Sequence, residues 1–154
     1  TKTDWKFCLL SILIKMEHLA ILNKKLNLLQ KIISGEKTIE SRWYVNRKAP
    51  YGCIKKGDVV YFKNSGEPVT VKASVSDVLQ FDNLNDAKIL QILKEYGKWI
   101  GIDESHASSF KGKRDCILVF LENVKPVEPF DINKKGYGMM SAWISVDNIE
   151  KIKK

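Results

Sequence analysis

Hydrophobic positions change their spacing several times along this chain, and each change predicts a new element. Short apolar or alternating runs, which are typical of strands, occur at residues 18–22, 38–43, 59–63, 69–81, 116–124 and 142–146. Turn residues separate these runs, such as Lys55–Asp58 before the third run and Ser65–Pro68 before the fourth. We expect Pro126 and Pro129 to break the chain after the fifth run.

Two stretches have the three-to-four-residue spacing of helices instead. The first covers residues 24–34 and is followed by Gly35 at a helix C-cap position; its apolar stripe is Leu26, Leu29 and Ile33. The second follows N-cap candidates at 82–85, and its stripe is Ile89, Ile92, Leu93 and Tyr96. Five or six short strands with two helices predict an α+β fold, a small mixed β-barrel with flanking helices.

The first fifteen residues differ from the pattern that follows them. Residues 7–14 form an uncharged apolar run between Lys6 and Lys15, far shorter than the roughly 20 residues that span a bilayer. We therefore expect no membrane association. We interpret 1–15 as an N-terminal extension and 16–154 as one domain; the alternative is that 1–15 forms an extra strand or helix packed on that domain.

Charge and cysteine usage narrow the classes of function. The 154 residues include 26 Lys and Arg against 18 Asp and Glu, a net charge of +8, which favours an anionic partner such as RNA or a nucleotide. The three cysteines are far apart without a C-x-x-C pair, which argues against a disulfide framework or a zinc site and predicts a cytoplasmic protein. We expect no metal and no cofactor, since P-loop and dinucleotide fingerprints are absent.

The most specific stretch for chemistry is residues 35–42. Strand alternation places Glu40 and Arg42 on one face, about 7 Å apart, while Lys37 lies in the turn before them. At the mouth of a barrel, the two cations could bind phosphate and the carboxylate could accept a hydrogen bond from a base or sugar. The alternative is a surface salt bridge on the solvated face of a strand.

The motif G-x-K-x-x-E-x-R formed by Gly35, Lys37, Glu40 and Arg42 resembles the ASCH domain family of the PUA-like superfamily. The Gly57–Lys63 segment and the late 136–143 loop and strand extend the resemblance from about residue 16 to residue 152. It implies a β-barrel surrounded by helices, with the Lys, Glu and Arg in a cleft that binds RNA. Some members are amidohydrolases of acetylated cytidine or ribonucleases; in the amidohydrolases a threonine stands where this chain has Glu40.

Aromatic and basic residues alternate directly after the motif. Tyr44, Arg47, Lys48 and Tyr51 fall within eight positions, which is the composition of a single-stranded RNA site because rings stack bases and cations contact phosphates. Trp143 follows a glycine-containing loop and could line the same cleft or belong to the core. Trp43, on the opposite strand face from Arg42, is expected in the core.

Three hypotheses follow. The first is a module that binds RNA or a nucleotide through Lys37, Glu40, Arg42, Tyr44, Arg47, Lys48, Tyr51 and Trp143. The second is a metal-independent hydrolase of RNA or an amide-bearing nucleoside, with Lys37 as base or charge stabiliser and Glu40 as proton carrier. The third is a scaffold that binds a protein partner through residues 1–15. The charge, the aromatic cluster and the resemblance favour the first.

Overall fold

Six strands form the framework of the computed structural model, which describes residues 11–154. They are β1 (Glu17–Leu22), β2 (Ile39–Tyr44), β3 (Val59–Asn64), β4 (Val69–Phe81), β5 (Asp115–Phe130) and β6 (Trp143–Val146). They make one sheet in the order β2-β5-β4-β3-β1-β6, in which only β1 and β3 are a parallel pair. The sheet curls into a half-barrel, which confirms the predicted mixed, barrel-like α+β fold.

Within residues 17–154, two α-helices flank the sheet, α1 (Leu28–Ser34) and α2 (Asp86–Ile100), as predicted. The first is shorter than the predicted helix of residues 24–34, because Asn27 has a left-handed φ of 55° and separates α1 from a 3-10 turn. The second extends to Ile100, beyond Tyr96 at the end of its apolar stripe. Gly35 ends α1 with a φ of 83°, a conformation that glycine adopts without steric cost.

Three apolar clusters cover the sheet. The first fills the inner face and includes α1, Phe62 and Trp143. On the outer face, the second packs α2 against β2 and β5, and the third packs the C-terminal 3-10 helix Ile149–Ile152 against β1, β3 and β6. Trp43 belongs to the second cluster and stacks on Phe110 with ring centres 4.2 Å apart, which confirms that it is a core residue.

The fifth strand corrects one expectation. Pro126 and Pro129 do not break the chain, because β5 continues through both to Phe130. Its register with β4 shifts three times, and Pro126 lies opposite Val71 within this irregular stretch. Prolines are tolerated at such bulges because the regular ladder of N–H donors is already interrupted there.

Residues 1–10 of the interpreted extension lie outside the described residues. Within 11–154, no helix is both long and apolar enough to cross a bilayer, and no three His, Cys, Asp or Glu side chains lie together as potential metal ligands. Cys116 is a buried free thiol, and burial raises its pKa. Cys53 is also buried but disulfide-bonded, which the cysteine spacing did not predict.

Candidate nucleic-acid interface

A cleft of about 730 Å³ opens between β2 and the segment of residues 137–147. This volume lies within the usual range for small-ligand pockets. Four of the predicted binding residues line it: Arg42, Tyr44, Lys48 and Trp143. Sequence reasoning did not select the remaining polar lining residues as ligand contacts; these are Tyr137, Ser141, Ser145, Asp147 and Lys151.

Arg42 connects the two edges of the curled sheet and lines the cleft between them. Its Nη1 donates to the carbonyl of Ala142 at 3.1 Å, and its Nη2 donates to the carbonyl of Ile21 at 3.2 Å and to Glu40 Oε2 at 3.1 Å. The guanidinium carbon lies 5.2 Å from the centre of the Trp143 ring. Within the described part of the chain, Nε–H and one Nη1–H have no acceptor, so they can serve a ligand.

Behind Arg42, Glu40 is buried between two cations. Its Oε2 accepts from Arg42, and its Oε1 accepts from the Ser41 amide at 3.0 Å and lies 3.3 Å from Lys37 Nζ. Burial alone would raise the pKa of this carboxyl, but Lys37 and Arg42 outweigh it and hold the pKa below its ordinary value. Glu40 is therefore an ionised anchor that fixes the guanidinium orientation.

Lys37 lies deeper still and is only 1% exposed. Its ammonium donates to the carbonyls of Ile39 and Ile100, both at 2.6 Å, and pairs with Glu40 at 3.3 Å. Burial lowers the pKa of Lys37, opposed by the charge of Glu40. Ile100 is the last residue of α2, where the helix dipole favours a cation. All three ammonium protons thus have an acceptor inside the protein, and Lys37 does not line the cleft.

The aromatic lining of the cleft comes from Tyr44 and Trp143. The Tyr44 hydroxyl donates to the carbonyl of Ala49 at 3.2 Å, and burial raises the pKa of Tyr44 to about 12, so the phenol is neutral. Lys48 is exposed, with its Nζ 5.3 Å from the centre of the Tyr44 ring. Trp143 is 7% exposed and serves both as a core residue and as part of the cleft wall.

Arg47 and Tyr51 form a separate pair outside the cleft wall. The guanidinium of Arg47 lies 4.2 Å from the centre of the Tyr51 ring and makes two hydrogen bonds to Asp115, at 2.9 and 3.3 Å. The side chain of Arg47 is nevertheless half exposed. This pair extends the cationic and aromatic surface beyond Lys48 without lining the cleft itself.

A buried polar network supports Trp143. His18 Nε2 lies 3.0 Å from Asp58 Oδ2, His18 Nδ1 lies 2.7 Å from Ser145 Oγ, and the Trp143 indole donates to Ser145 Oγ at 3.1 Å. His18 and Asp58 are fully buried, so His18 is a hydrogen-bonded core histidine. Ser145 lines the cleft. The sequence signal for Ser145 as a cleft residue was its position two residues after Trp143, because strand alternation places both side chains on one face of β6.

We expect the fold to become less stable as the pH falls, and we expect His18 to cause this loss. Burial lowers the pKa of His18 below 6.5, against the opposing effect of Asp58. Below pH 6.5 the unfolded chain therefore takes up a proton that the folded chain does not, and the free energy of unfolding drops by about 1 kcal/mol per pH unit until the folded pKa is reached. Urea unfolding at pH 7.5, 6.5 and 5.5 measures this slope.

The chain offers a matched control, because its second histidine, His106, is exposed. His18→Gln is expected to flatten the dependence on pH, while His106→Gln retains the wild-type slope. An equal slope in His18→Gln and wild type would show that another group causes the loss.

No family model and no curated protein matches this sequence. Solved structures of ASCH from Zymomonas mobilis are similar: the unsubstituted protein has a TM-score of 0.63 and 16% identity over 88% of this chain and 90% of that chain. Two mutants of the same protein give comparable values. A tyrosine-to-phenylalanine mutant has 16% identity, a TM-score of 0.63 and coverages of 88% and 93%. A serine-to-alanine mutant has 18% identity, a TM-score of 0.62 and coverages of 88% and 91%.

The likeness spans most of both chains and is a likeness of fold. The chain therefore has the fold of an ASCH protein, which is the fold that the resemblance of its motif implies.

Proposed function

We propose that this protein is a PUA-like module that binds RNA or a nucleotide in the cleft between β2 and residues 137–147, and that 16–154 is the binding domain. The observation that carries the proposal is the composition of the cleft wall. Arg42 and Lys48 provide cations beside the Trp143 and Tyr44 rings. A cation can hold a phosphate while an aromatic face contacts a base, so one cleft offers both halves of a nucleotide site.

In this proposal, the motif residues have different roles. Arg42 contacts the ligand directly through its two remaining N–H groups. Glu40 and Lys37 act through Arg42, since both are buried behind it and pair with each other. Lys48 and Tyr44 contact the ligand at the open side of the cleft. Arg47 and Tyr51 contact a flanking nucleotide when the ligand extends past Lys48.

The charge of Lys48 provides the first test. Lys48→Glu is expected to weaken binding of a fluorescein-labelled single-stranded RNA about tenfold at 0.1 M salt, because one phosphate contact becomes a repulsion. The salt dependence also becomes shallower, by about 0.7 in the slope of log K against log salt. Fluorescence anisotropy across a salt series measures both quantities.

Lys94→Glu is the matched control, since Lys94 is exposed on α2 and does not line the cleft. It makes the same change in net charge and is expected to leave the salt slope unchanged and the affinity within about twofold. Equal losses in the two variants would mean that the net charge, and not the cleft, determines RNA binding. No salt-sensitive binding by the wild type would contradict the proposal outright.

A second candidate, the metal-independent hydrolase, is favoured by one observation. Ser145 Oγ reaches the cleft wall and lies 2.7 Å from the ring of His18, whose other nitrogen faces Asp58. A serine hydroxyl, a base bonded to it and a carboxylate that orients the base are together the components of an activated nucleophile. The roles of Lys37 as base and Glu40 as proton carrier stay predictions. The RNA is incubated with the protein with and without a chelator and then run on a gel. If this function holds, the RNA is cleaved in both cases.

A further inference from the structure

A row of basic side chains crosses the outer face of the sheet, away from the cleft. Lys72 on β4 lies directly opposite Lys125 on β5, and Tyr61 on β3 continues the same row. Like charges placed directly opposite each other on neighbouring strands destabilise a sheet. Among the residues that the structure describes, neither lysine has a carboxylate within 4.0 Å. The next acidic position, Glu122, lies opposite Ser74 instead.

A second pair of lysines lies beside this row. Lys63 lies two residues after Tyr61 on β3, and Lys134 lies at the start of the loop that leads to the cleft. Lys134 Nζ donates to the carbonyl of Met139 at 2.6 Å. Burial and the neighbouring charge of Lys63 both lower the pKa of Lys134. Within residues 11–154, these two lysines also lack an acidic partner within 4.0 Å.

The lysine row approaches the cleft through Lys134. Its ammonium donates to the carbonyl of Met139, and the next residue, Met140, lines the cleft. Tyr61 is only 9% exposed and lies beneath the row, where it meets the edge of Phe130 with ring centres 6.0 Å apart. Phe130 packs in the third apolar cluster together with Tyr137, which lines the cleft. The lysine row and the cleft wall thus share one apolar support.

Three other surface lysines are neutralised by ion pairs. Lys24 pairs with Glu67, Lys151 with Asp147 and Lys153 with Glu150, at 2.6 to 2.7 Å. The opposed Lys72–Lys125 pair differs because it concentrates positive charge that the described residues do not compensate. An external polyanion would relieve this repulsion, and phosphates spaced along a strand can reach several lysines at once.

We propose that Lys63, Lys72, Lys125 and Lys134 form a basic track that binds the phosphate backbone of an RNA strand whose nucleotide occupies the cleft. The inference rests on the proposed function and makes it more specific: the ligand is an RNA polymer and not a free nucleotide. The track contributes affinity without reading sequence, because phosphate contacts are the same for every base. A mononucleotide in the cleft does not reach it.

A double substitution on the track separates the two ligand classes. Lys72→Glu combined with Lys125→Glu is expected to weaken binding of a twelve-nucleotide oligouridine about tenfold at 0.1 M salt. The slope of log K against log salt becomes shallower by about 1.4, as expected for two lost phosphate contacts on a single strand. The affinity for uridine monophosphate, measured by calorimetry, stays within twofold of the wild type.

The matched control combines Lys94→Glu with Lys111→Glu, two exposed lysines away from the track and the cleft. It makes the same change in net charge and leaves both affinities within twofold. Unchanged oligouridine binding by the track variant would overturn the basic track while leaving the cleft proposal intact. Equal losses for oligouridine and uridine monophosphate would also overturn it. If neither ligand binds the wild type, the proposed function itself fails.

Discussion

Replacing Lys37 with methionine is expected to lower the free energy of unfolding by about 3 kcal/mol. Removal of one partner from a buried ion pair costs about 3–5 kcal/mol, because the remaining charge has no compensation. The lower end applies here, since Glu40 retains Arg42 and the Ser41 amide. The carbonyls of Ile39 and Ile100 lose the ammonium as a donor as well.

Urea unfolding at pH 7 measures this loss, and a double-mutant cycle shows how much of it comes from the ion pair between Lys37 and Glu40. Glu40→Gln removes the buried charge, so the Lys37→Met, Glu40→Gln double variant is expected to be more stable than the sum of the two single effects by about 1–2 kcal/mol. Lys31→Met is the matched control, because Lys31 is a half-buried lysine on α1 without an ion pair among the described residues. A loss below 1 kcal/mol in Lys37→Met would contradict the structural role of this lysine.

Replacing Arg42 with alanine is expected to weaken RNA binding about 30-fold, which corresponds to about 2 kcal/mol. Arg42 has two effects that alanine removes together. It offers two N–H groups to the ligand, and it holds the carbonyls of Ile21 and Ala142 at the opposite edge of the sheet. Arg42→Lys is expected to recover little, because an ammonium lacks the planar fork that makes these contacts at once.

Anisotropy titration measures the affinity, and circular dichroism checks that the fold persists. Arg114→Ala is the matched control, since Arg114 is exposed and outside the cleft wall, and we expect its affinity to stay within about threefold of the wild type. Arg42→Ala and Arg114→Ala with the same affinity would show that the cleft arginine is not a ligand contact.

Local patterns predicted most of the fold. The apolar stripe of α2 and the alternation of β4 depend on neighbours in the chain, so periodicity identified both. The sheet order and the continuation of β5 past Pro126 depend on pairing between distant strands, which spacing does not encode. The break at Asn27 required a left-handed backbone, which asparagine tolerates but does not impose.

Four of the eight predicted binding residues line the cleft, and their arrangement was not predictable from the sequence. Strand alternation correctly placed Glu40 and Arg42 together. Burial separated Lys37 from the cleft, and this depended on the end of α2, 63 positions away in the chain. Ser145 meets His18 only because β1 and β6 are neighbours in the sheet. Contacts between distant strands therefore decided which polar residues line the cleft and which support it.

Mapping where RNA contacts the wild-type protein tests directly whether the cleft is the RNA-binding site. A single-stranded RNA that contains 4-thiouridine is bound, irradiated and digested, and the crosslinked peptides are identified by mass spectrometry. Crosslinks are expected within residues 42–48 and 137–147, on the two walls of the cleft. Crosslinks confined to α2 and residues 104–114, with both cleft segments unlabelled, would contradict this expectation.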